Sequence, residues 1–294
     1  MKRWLMMVAA ALAVLAAPAS ALDVVATSPS MGALVRTVAP NAGLTVLAGP
    51  DRDLHTLQAK PSMIRALRGA DLLVAIGAEL EVGWLPAASA SAANPSILPG
   101  REGYFEAAAQ VPLLEVGGAA DRARGDVHPA GNPHVDLDPV RMAQVAEALA
   151  QRMGQLDAGA AAAYRANARR FADAVDGRLP QWQTQLAEAT GVVLYHRDAI
   201  YLLDRFDVPL LGTIEPVPGV PPSGRDIRQL AGSLRGRKGV IIHTPYQAPK
   251  APQKLGRDLG WRVVTLPLEP PLSADGDGYL RHMDRWVDAI ASAR

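Results

Sequence analysis

The chain has 294 residues with no cysteine and six histidines, and its 30 lysines and arginines nearly balance 29 aspartates and glutamates. Apolar residues make up 49% of the chain, which is enough for a packed core and excludes a disordered chain. The lack of cysteine excludes disulfide scaffolds, thiolate zinc fingers, iron–sulfur clusters and cysteine nucleophiles. The near-neutral charge gives no indication of a nucleic-acid partner.

The first 21 residues have the pattern of a secretory signal peptide. A basic start, Met1-Lys2-Arg3, precedes an apolar run over residues 4–17, and Ala19-Ser20-Ala21 has the small residues of a cleavage site. The apolar run is shorter than the ~20 residues that a transmembrane anchor needs. We therefore expect export to the periplasm as a soluble protein, with cleavage before Leu22.

Residues 22–156 alternate between short apolar runs and stretches with helical spacing, which is typical of an α/β lobe. Continuous apolar strands separated by helices indicate a parallel sheet that is covered on both faces. The predicted helices lie at 28–38 and 61–68, and the predicted strands at 23–27, 44–47, 71–76 and, as a further candidate, 111–116.

The middle of the chain has a different composition, and the pattern of the first lobe then returns. Residues 157–189 are almost all helix formers and predict one long helix that links two lobes stiffly, although two ordinary surface helices of one domain are an alternative. Residues 190–294 form the predicted second α/β lobe. Its predicted strands lie at 191–195, 208–211, 238–242 and 261–265, and its helices at 198–206, 223–235, 251–259 and 277–292.

Three histidines follow a predicted strand or precede a predicted helix: His55, His134 and His196. Ligands of open α/β sheets gather beyond the carboxyl ends of the strands, where a histidine is poorly placed for core packing. The chain separates His55 from His134 by 79 residues and His134 from His196 by 62. Such distant residues converge only through the tertiary fold, so a metal ion bound by them would lie in the cleft between the lobes.

Three neutral imidazoles suit Zn²⁺, and a carboxylate would complete a site of four ligands. Glu269, which follows the last predicted strand, is the candidate for the fourth ligand. His243 is an alternative because it ends a predicted strand, and His128 is a candidate accessory group because it lies six residues before His134. His282 falls within the last predicted helix, where we expect a surface position.

Several segments resemble the zinc- and manganese-binding solute-binding proteins of ABC importers, in the group with a rigid linker helix. The resemblance runs from about Val24 to Ile290. It implies two α/β lobes and metal ligands at His55, His134 and His196. Leu54 stands where the family usually has proline, and Glu269 aligns where the family's fourth ligand is commonly aspartate. The segments that carry it are Asp53-Leu54-His55, Pro133-His134-Val135-Asp136-Leu137-Asp138-Pro139 and Tyr195-His196-Arg197-Asp198-Ala199.

These observations predict a periplasmic receptor that binds a divalent transition metal, most simply Zn²⁺, and delivers it to a membrane permease with a cytoplasmic ATPase. We expect a monomer that is not an enzyme. A manganese-specific receptor of the same type is the main alternative, because the family includes such members. A secreted zinc hydrolase with three histidines and an adhesin or scaffold with a structural metal are further alternatives. The sequence has no HExxH helix, no Gly-x-Ser-x-Gly elbow and no glycine-rich phosphate loop to favour the hydrolase.

Overall fold

Two parallel sheets of four strands each form the framework of the protein. The computed structural model describes residues 22–117, 128–217 and 219–294. The predicted signal peptide, residues 1–21, lies outside the described residues. The first sheet has the strand order β2-β1-β3-β4, and the second has the order β6-β5-β7-β8. In both sheets every pair of neighbouring strands is parallel.

The first sheet belongs to the N-terminal part of the chain, and helices connect its strands. The strand β3 is buried along its whole length, as expected for a central strand with both faces covered. The strands are β1 (Asp23–Ala26), β2 (Gly43–Val46), β3 (Leu72–Ala75) and β4 (Tyr104–Glu106), and the helices are α1 (Pro29–Val38), α2 (Pro61–Arg68) and α3 (Leu85–Ala92).

The fourth strand of this sheet is not the one that the sequence predicts. Residues 111–116 form no strand, and Pro112, the second of them, has no N–H for a ladder hydrogen bond. The strand β4 pairs with β3 instead, through Leu73–Tyr104, Val74–Phe105 and Ala75–Glu106. At three residues, this strand is too short and too mixed in polarity to stand out in the sequence.

Two long helices join the sheets. Asp138 begins the first of them, α4 (Pro139–Leu156), by accepting hydrogen bonds from the backbone N–H groups of Val140 and Arg141. The second, α5 (Ala161–Leu186), has 26 residues and is therefore about 39 Å long. Pro180 lies inside α5, and the helix continues on both sides of it. Among the residues that the structure describes, short 3₁₀ helices lie at Pro95–Ile97, Ala108–Gln110 and Val135–Leu137.

The second sheet repeats the scheme of the first. Its central strands β5 and β7 are fully buried, and Ser223 caps α7 through a reciprocal pair of hydrogen bonds with Asp226. The strands are β5 (Val192–Leu194), β6 (Leu210–Thr213), β7 (Val240–His243) and β8 (Arg262–Thr265), and the helices are α6 (Ile200–Arg205), α7 (Gly224–Ser233), α8 (Lys250–Leu259) and α9 (Gly276–Ala291).

The helix α5 packs against elements that belong to both sheets. The ring of Phe171 lies edge-on to Tyr279 of α9, and Trp182 lies edge-on to Phe206, just after α6. Asn167 donates a hydrogen bond from its side chain to the carbonyl of Val38, at the end of α1. One large cluster of buried apolar side chains accordingly includes residues of both sheets and of α5. The predicted fold class, two parallel α/β sheets flanked by helices, is confirmed.

Loops at the carboxyl ends of the strands bring polar side chains together between the two sheets. The loop from β2 to α2 contains His55, and His196 follows β5 by two residues. His134 directly precedes the short helix Val135–Leu137. Within the described ranges, no helix is both long enough and apolar enough to cross a membrane.

Candidate metal centre

The ring of His55 is oriented by an aspartate on the same loop. Its Nδ1 lies 2.8 Å from Oδ1 of Asp53, and the same oxygen accepts the backbone N–H of His55 at 2.9 Å. The indole N–H of Trp84 donates to the carbonyl of Leu54 at 2.9 Å and holds the loop against the first sheet. Burial acts to raise the pKa of Asp53, but the hydrogen bonds and the charge of His55 lower it below its ordinary value. Asp53 is therefore ionised, and the Nε2 of His55 lies on the other side of the ring, 3.2 Å from Nε2 of His128.

His134 is buried, and the conformation of the backbone just before it fixes its position. Gly131 has φ +125°, and a Cβ there would lie 2.6 Å from Cβ of Leu113, so only glycine fits. The side-chain oxygen of Asn132 then accepts the backbone N–H of His134 at 3.0 Å. Neither ring nitrogen of His134 has a hydrogen-bond partner among the described residues. Burial first, and then the neighbouring histidines, hold the pKa of His134 well below its ordinary value, so the ring is neutral.

His196 is oriented by a glutamate from the neighbouring strand of the second sheet. Its Nδ1 lies 3.2 Å from Oε2 of Glu215, which follows β6. Burial acts to lower the pKa of His196, but the hydrogen bond to Glu215 and the charges of Asp198 and Glu215 raise it above the ordinary value. The carboxylate on Nδ1 leaves Nε2 as the nitrogen that could bind a ligand. Carboxylates on the far nitrogen of a ligand histidine are the usual outer partners at metal sites.

The three histidines meet, although the chain separates them widely. One ligand atom from each lies within 4.8 Å of the others, a spacing that could hold a metal ion. The ring centroids of His55 and His134 are 5.3 Å apart, those of His55 and His196 are 5.4 Å apart, and those of His134 and His196 are 5.5 Å apart. We call His55, His134 and His196 the histidine cluster.

Glu269 and Asp136 adjoin the histidine cluster in a small cavity that His55 and His134 also line. Oε2 of Glu269 accepts the backbone N–H of Ser30 at 2.7 Å, which ties the loop after β8 to the start of α1. Oε1 of Glu269 and Oδ1 of Asp136 are buried and have no hydrogen-bond partner within the part of the chain that the structure describes. Burial raises the pKa of both carboxyl groups.

Asp198 is a third buried carboxyl group at the site, two residues after His196. The side-chain amide of Gln247 donates to its Oδ2 at 3.2 Å. Burial raises the pKa of Asp198 to about 6, although the charges of His196 and His55 act in the opposite direction. The group is therefore mainly ionised at neutral pH and places a negative charge beside the cluster.

The remaining histidines differ in their relation to the cluster. Both ring nitrogens of His243 are engaged, since Nδ1 lies 3.0 Å from the carbonyl of Thr244 and Nε2 lies 2.9 Å from Oγ1 of Thr265. His128, in contrast, places its Nε2 3.2 Å from Nε2 of His55. Of these two candidates for an additional ligand, His128 therefore contacts the cluster, whereas His243 is hydrogen-bonded elsewhere.

The expected surface position of His282 is wrong, because only 2% of this residue is exposed. Its Nε2 lies 2.8 Å from the carbonyl of Leu268, and the indole N–H of Trp286 donates to the carbonyl of Pro267 at 3.2 Å. Burial lowers the pKa of His282 to about 4. The face of α9 that contains His282 was expected to be exposed to solvent. It packs instead against the loop that contains Glu269.

Sequence reasoning missed the carboxylates that orient the histidines. The role of Asp53 could have been predicted, since an aspartate two residues before a histidine can accept the backbone N–H of that histidine in a turn. No sequence pattern predicts that Glu215 and Asp198 lie near His196, because their proximity to it depends on how β6 and α6 pack. The geometry makes the cluster a nitrogen site with carboxyl groups around it, which is a suitable environment for a divalent cation.

One family model and several solved structures match nearly the whole described chain. The family model described as "Zinc-uptake complex component A periplasmic" (ZnuA) matches residues 24–293, which is nearly all of the chain. A zinc-bound internal deletion mutant of ZnuA is 20% identical, with a TM-score of 0.76, over 93% of this chain and 98% of that chain.

Two further solved structures have the same fold. The solute-binding protein FpvC from Pseudomonas aeruginosa, in complex with Mn²⁺, is 23% identical, with a TM-score of 0.79, over 93% of this chain and 98% of that chain. The laminin-binding protein Lmb from Streptococcus agalactiae, described as having adhesin and metal-transporting activity, is 19% identical, with a TM-score of 0.72, over 92% of this chain and 99% of that chain.

Proposed function

Because the chain belongs to the family of periplasmic zinc-uptake components, the metal-binding solute-binding proteins of ABC importers, we propose that its own cargo is Zn²⁺. In this proposal the protein captures the ion outside the cytoplasm and delivers it to a membrane permease that a cytoplasmic ATPase drives. It works as a monomeric receptor, without catalysis and without a nucleic-acid partner. His55, His134 and His196 bind the ion, and Glu269 lies beside it.

The observation that carries the proposal is the convergence of the histidine cluster from distant parts of the chain. Its ligand atoms lie within 4.8 Å of one another, and tetrahedral Zn²⁺ with nitrogen ligands at about 2.0–2.1 Å would draw them somewhat closer. The two unpartnered nitrogens of His134 support a ligand at this place, because buried polar atoms without a partner destabilise the metal-free protein.

The donor set favours zinc over manganese. Imidazole suits Zn²⁺, whereas Mn²⁺ prefers carboxylate, carbonyl and water oxygens. Asp53 and Glu215 are hydrogen-bonded to the outer nitrogens of His55 and His196 and do not face the cleft as ligands. Their charges, with that of Asp198, offset the two positive charges of the ion without replacing imidazole.

The position of the site supports a receptor that opens and closes on its cargo. We propose that residues 22–156 and 190–294 are the two lobes and that residues 157–189 link them. His55 and His134 belong to the first lobe and His196 to the second, so the ion draws the lobes together. The shared apolar core limits the motion of the lobes, so a small shift that moves His196 away from the other two ligands would release the ion without unfolding either lobe.

Competitive titration of the purified mature protein with Zn²⁺ and Mn²⁺ tests this function. We expect tight zinc binding at one site, weaker manganese binding, and loss of zinc binding in His55→Ala, His134→Ala and His196→Ala. His243→Gln is the matched control, because both ring nitrogens of His243 are engaged away from the cluster. Zinc binding that is equally tight in all three alanine variants would reject the site, and tighter binding of manganese than of zinc would reject the cargo.

A further inference from the structure

His128 contacts His55, a member of the histidine cluster, although it is not one of the three ligands assigned above. The distance from its Nε2 to Nε2 of His55 is 3.2 Å, and the two ring centroids are 5.2 Å apart. That centroid distance is slightly shorter than the distances among the three members of the cluster, which run from 5.3 to 5.5 Å. The group of ligand atoms that lie within 4.8 Å of one another comprises His55, His134 and His196, so His128 would have to move closer to His134 and His196 to join it.

This nitrogen–nitrogen distance is the one expected of two ligands on the same zinc ion. Zinc–nitrogen bonds of about 2.0–2.1 Å at the tetrahedral angle place two ligand nitrogens about 3.3–3.4 Å apart. The Nδ1 of His55 contacts Asp53, so His55 presents the lone pair of its Nε2 toward His128. The separation of 3.2 Å fits a hydrogen bond from Nε2–H of His128 to that lone pair, and as a zinc ligand His128 would carry this hydrogen on Nδ1 instead.

We propose that His128 is the fourth ligand, so that the cargo ion is bound by four imidazoles. This inference rests on the proposed function, since it completes the same site. Glu269 then stays outside the coordination sphere. Its Oε2 is already held by the backbone N–H of Ser30 at 2.7 Å. Its role is to line the cavity and to anchor the loop after β8 to α1.

A set of four imidazoles changes the selectivity of the receptor. All four ligands are neutral, so the ion keeps its two positive charges and relies on the outer carboxylates Asp53, Glu215 and Asp198 for compensation. No oxygen from the protein would contact the ion, which disfavours Mn²⁺ and Mg²⁺ more strongly than a site with three histidines and one carboxylate.

X-ray absorption at the zinc edge of the zinc-loaded mature protein tests the proposal, because outer-shell scattering counts the imidazole rings bound to the ion. We expect four rings in the wild type, three in His128→Ala and four in Glu269→Gln. We also expect His128→Ala to weaken zinc binding by more than the roughly 10–100-fold that loss of an outer partner costs, while Glu269→Gln changes it less. Circular dichroism establishes that each variant is folded.

The outcomes separate this inference from the function on which it rests. Three rings in the wild type and in His128→Ala, with a large loss of affinity in Glu269→Gln, would overturn the assignment of His128 and leave the receptor function intact. Failure of the wild type to bind Zn²⁺ would reject the function itself. His243→Gln serves as the histidine control, with four rings and unchanged affinity expected.

Discussion

Nδ1 of His55 lies 2.8 Å from Oδ1 of Asp53, and this contact determines which nitrogen of the ring faces the cleft. The same carboxylate oxygen accepts the backbone N–H of His55, so the turn and the ring orientation depend on one side chain. An ionised acceptor also makes the imidazole a stronger ligand, because it stabilises positive charge on the ring. Glu215, which follows a strand of the second sheet, acts in the same way on His196.

Asp53→Asn should weaken zinc binding by about 10–100-fold, the usual cost of losing the outer carboxylate of a ligand histidine. The amide keeps the size of the side chain and loses its charge. Asp51→Asn is the matched control, because Asp51 is an exposed aspartate on the same loop. Competitive titration of the two variants against wild type measures the effect. Equal losses in both variants would show that general loop charge, and not the contact with His55, matters.

Zinc affinity should fall with acidity, beginning near the raised pKa of His196. A proton on the Nε2 of His196 competes with the ion, whereas His134, with its lowered pKa, stays neutral in the same range. Glu215→Gln removes the hydrogen-bonded charge that raises the pKa of His196. We expect this variant to bind zinc more weakly at neutral pH and to keep its affinity to more acidic pH. Titrations across roughly pH 5 to 8 measure the profile. An onset of the loss at the same pH in both proteins would argue against His196 as the limiting group.

Asp198→Asn should stabilise the metal-free protein at neutral pH. Burial raises the pKa of Asp198 from 3.8 to about 6, so the folded protein has an unfavourable buried charge above pH 6. Below about pH 4 the carboxyl group is protonated in both the folded and unfolded states, and the advantage of asparagine disappears. A shift of about two units corresponds to at most about 3 kcal/mol. Denaturant unfolding in the presence of a chelator, above and below this range, measures the difference. A variant that is less stable than wild type at neutral pH would contradict the burial argument.

Removal of the metal should leave the protein folded. The main apolar cluster includes residues of both sheets and of α5, and it supplies a core that does not depend on an ion. Zinc at 100 times its dissociation constant should add about 2.7 kcal/mol to the free energy of unfolding, and at 1,000 times about 4.1 kcal/mol. Thermal unfolding followed by circular dichroism, with and without chelator, tests this. Loss of secondary structure on chelation would indicate a structural metal, as in the adhesin or scaffold alternative.

Much of the fold could be predicted because its strands are short apolar runs set between amphipathic helices. Leu72–Ala75 and Val240–His243 are buried throughout, and such runs are typical of central parallel strands. The strand Tyr104–Glu106 was missed, since three residues of mixed polarity have no usable period. The buried position of His282 was missed because it depends on the loop that packs against α9.

The site could be predicted only in outline. Histidines at strand ends indicated that a metal site was plausible, because the ends of parallel strands share one edge of a sheet. The contact of His196 with Glu215 and that of His55 with His128 join residues 19 and 73 positions apart, so no local pattern reveals them. The fourth ligand depends on such contacts, and the sequence alone left Glu269, His243 and His128 open.

A crystal structure of the zinc-loaded mature protein, with anomalous diffraction recorded at the zinc edge, would locate the ion. We expect one strong anomalous peak within bonding distance of His55, His134 and His196, between the two sheets. A peak at any other place, or a histidine cluster without a peak in protein that contains stoichiometric zinc, would contradict this expectation.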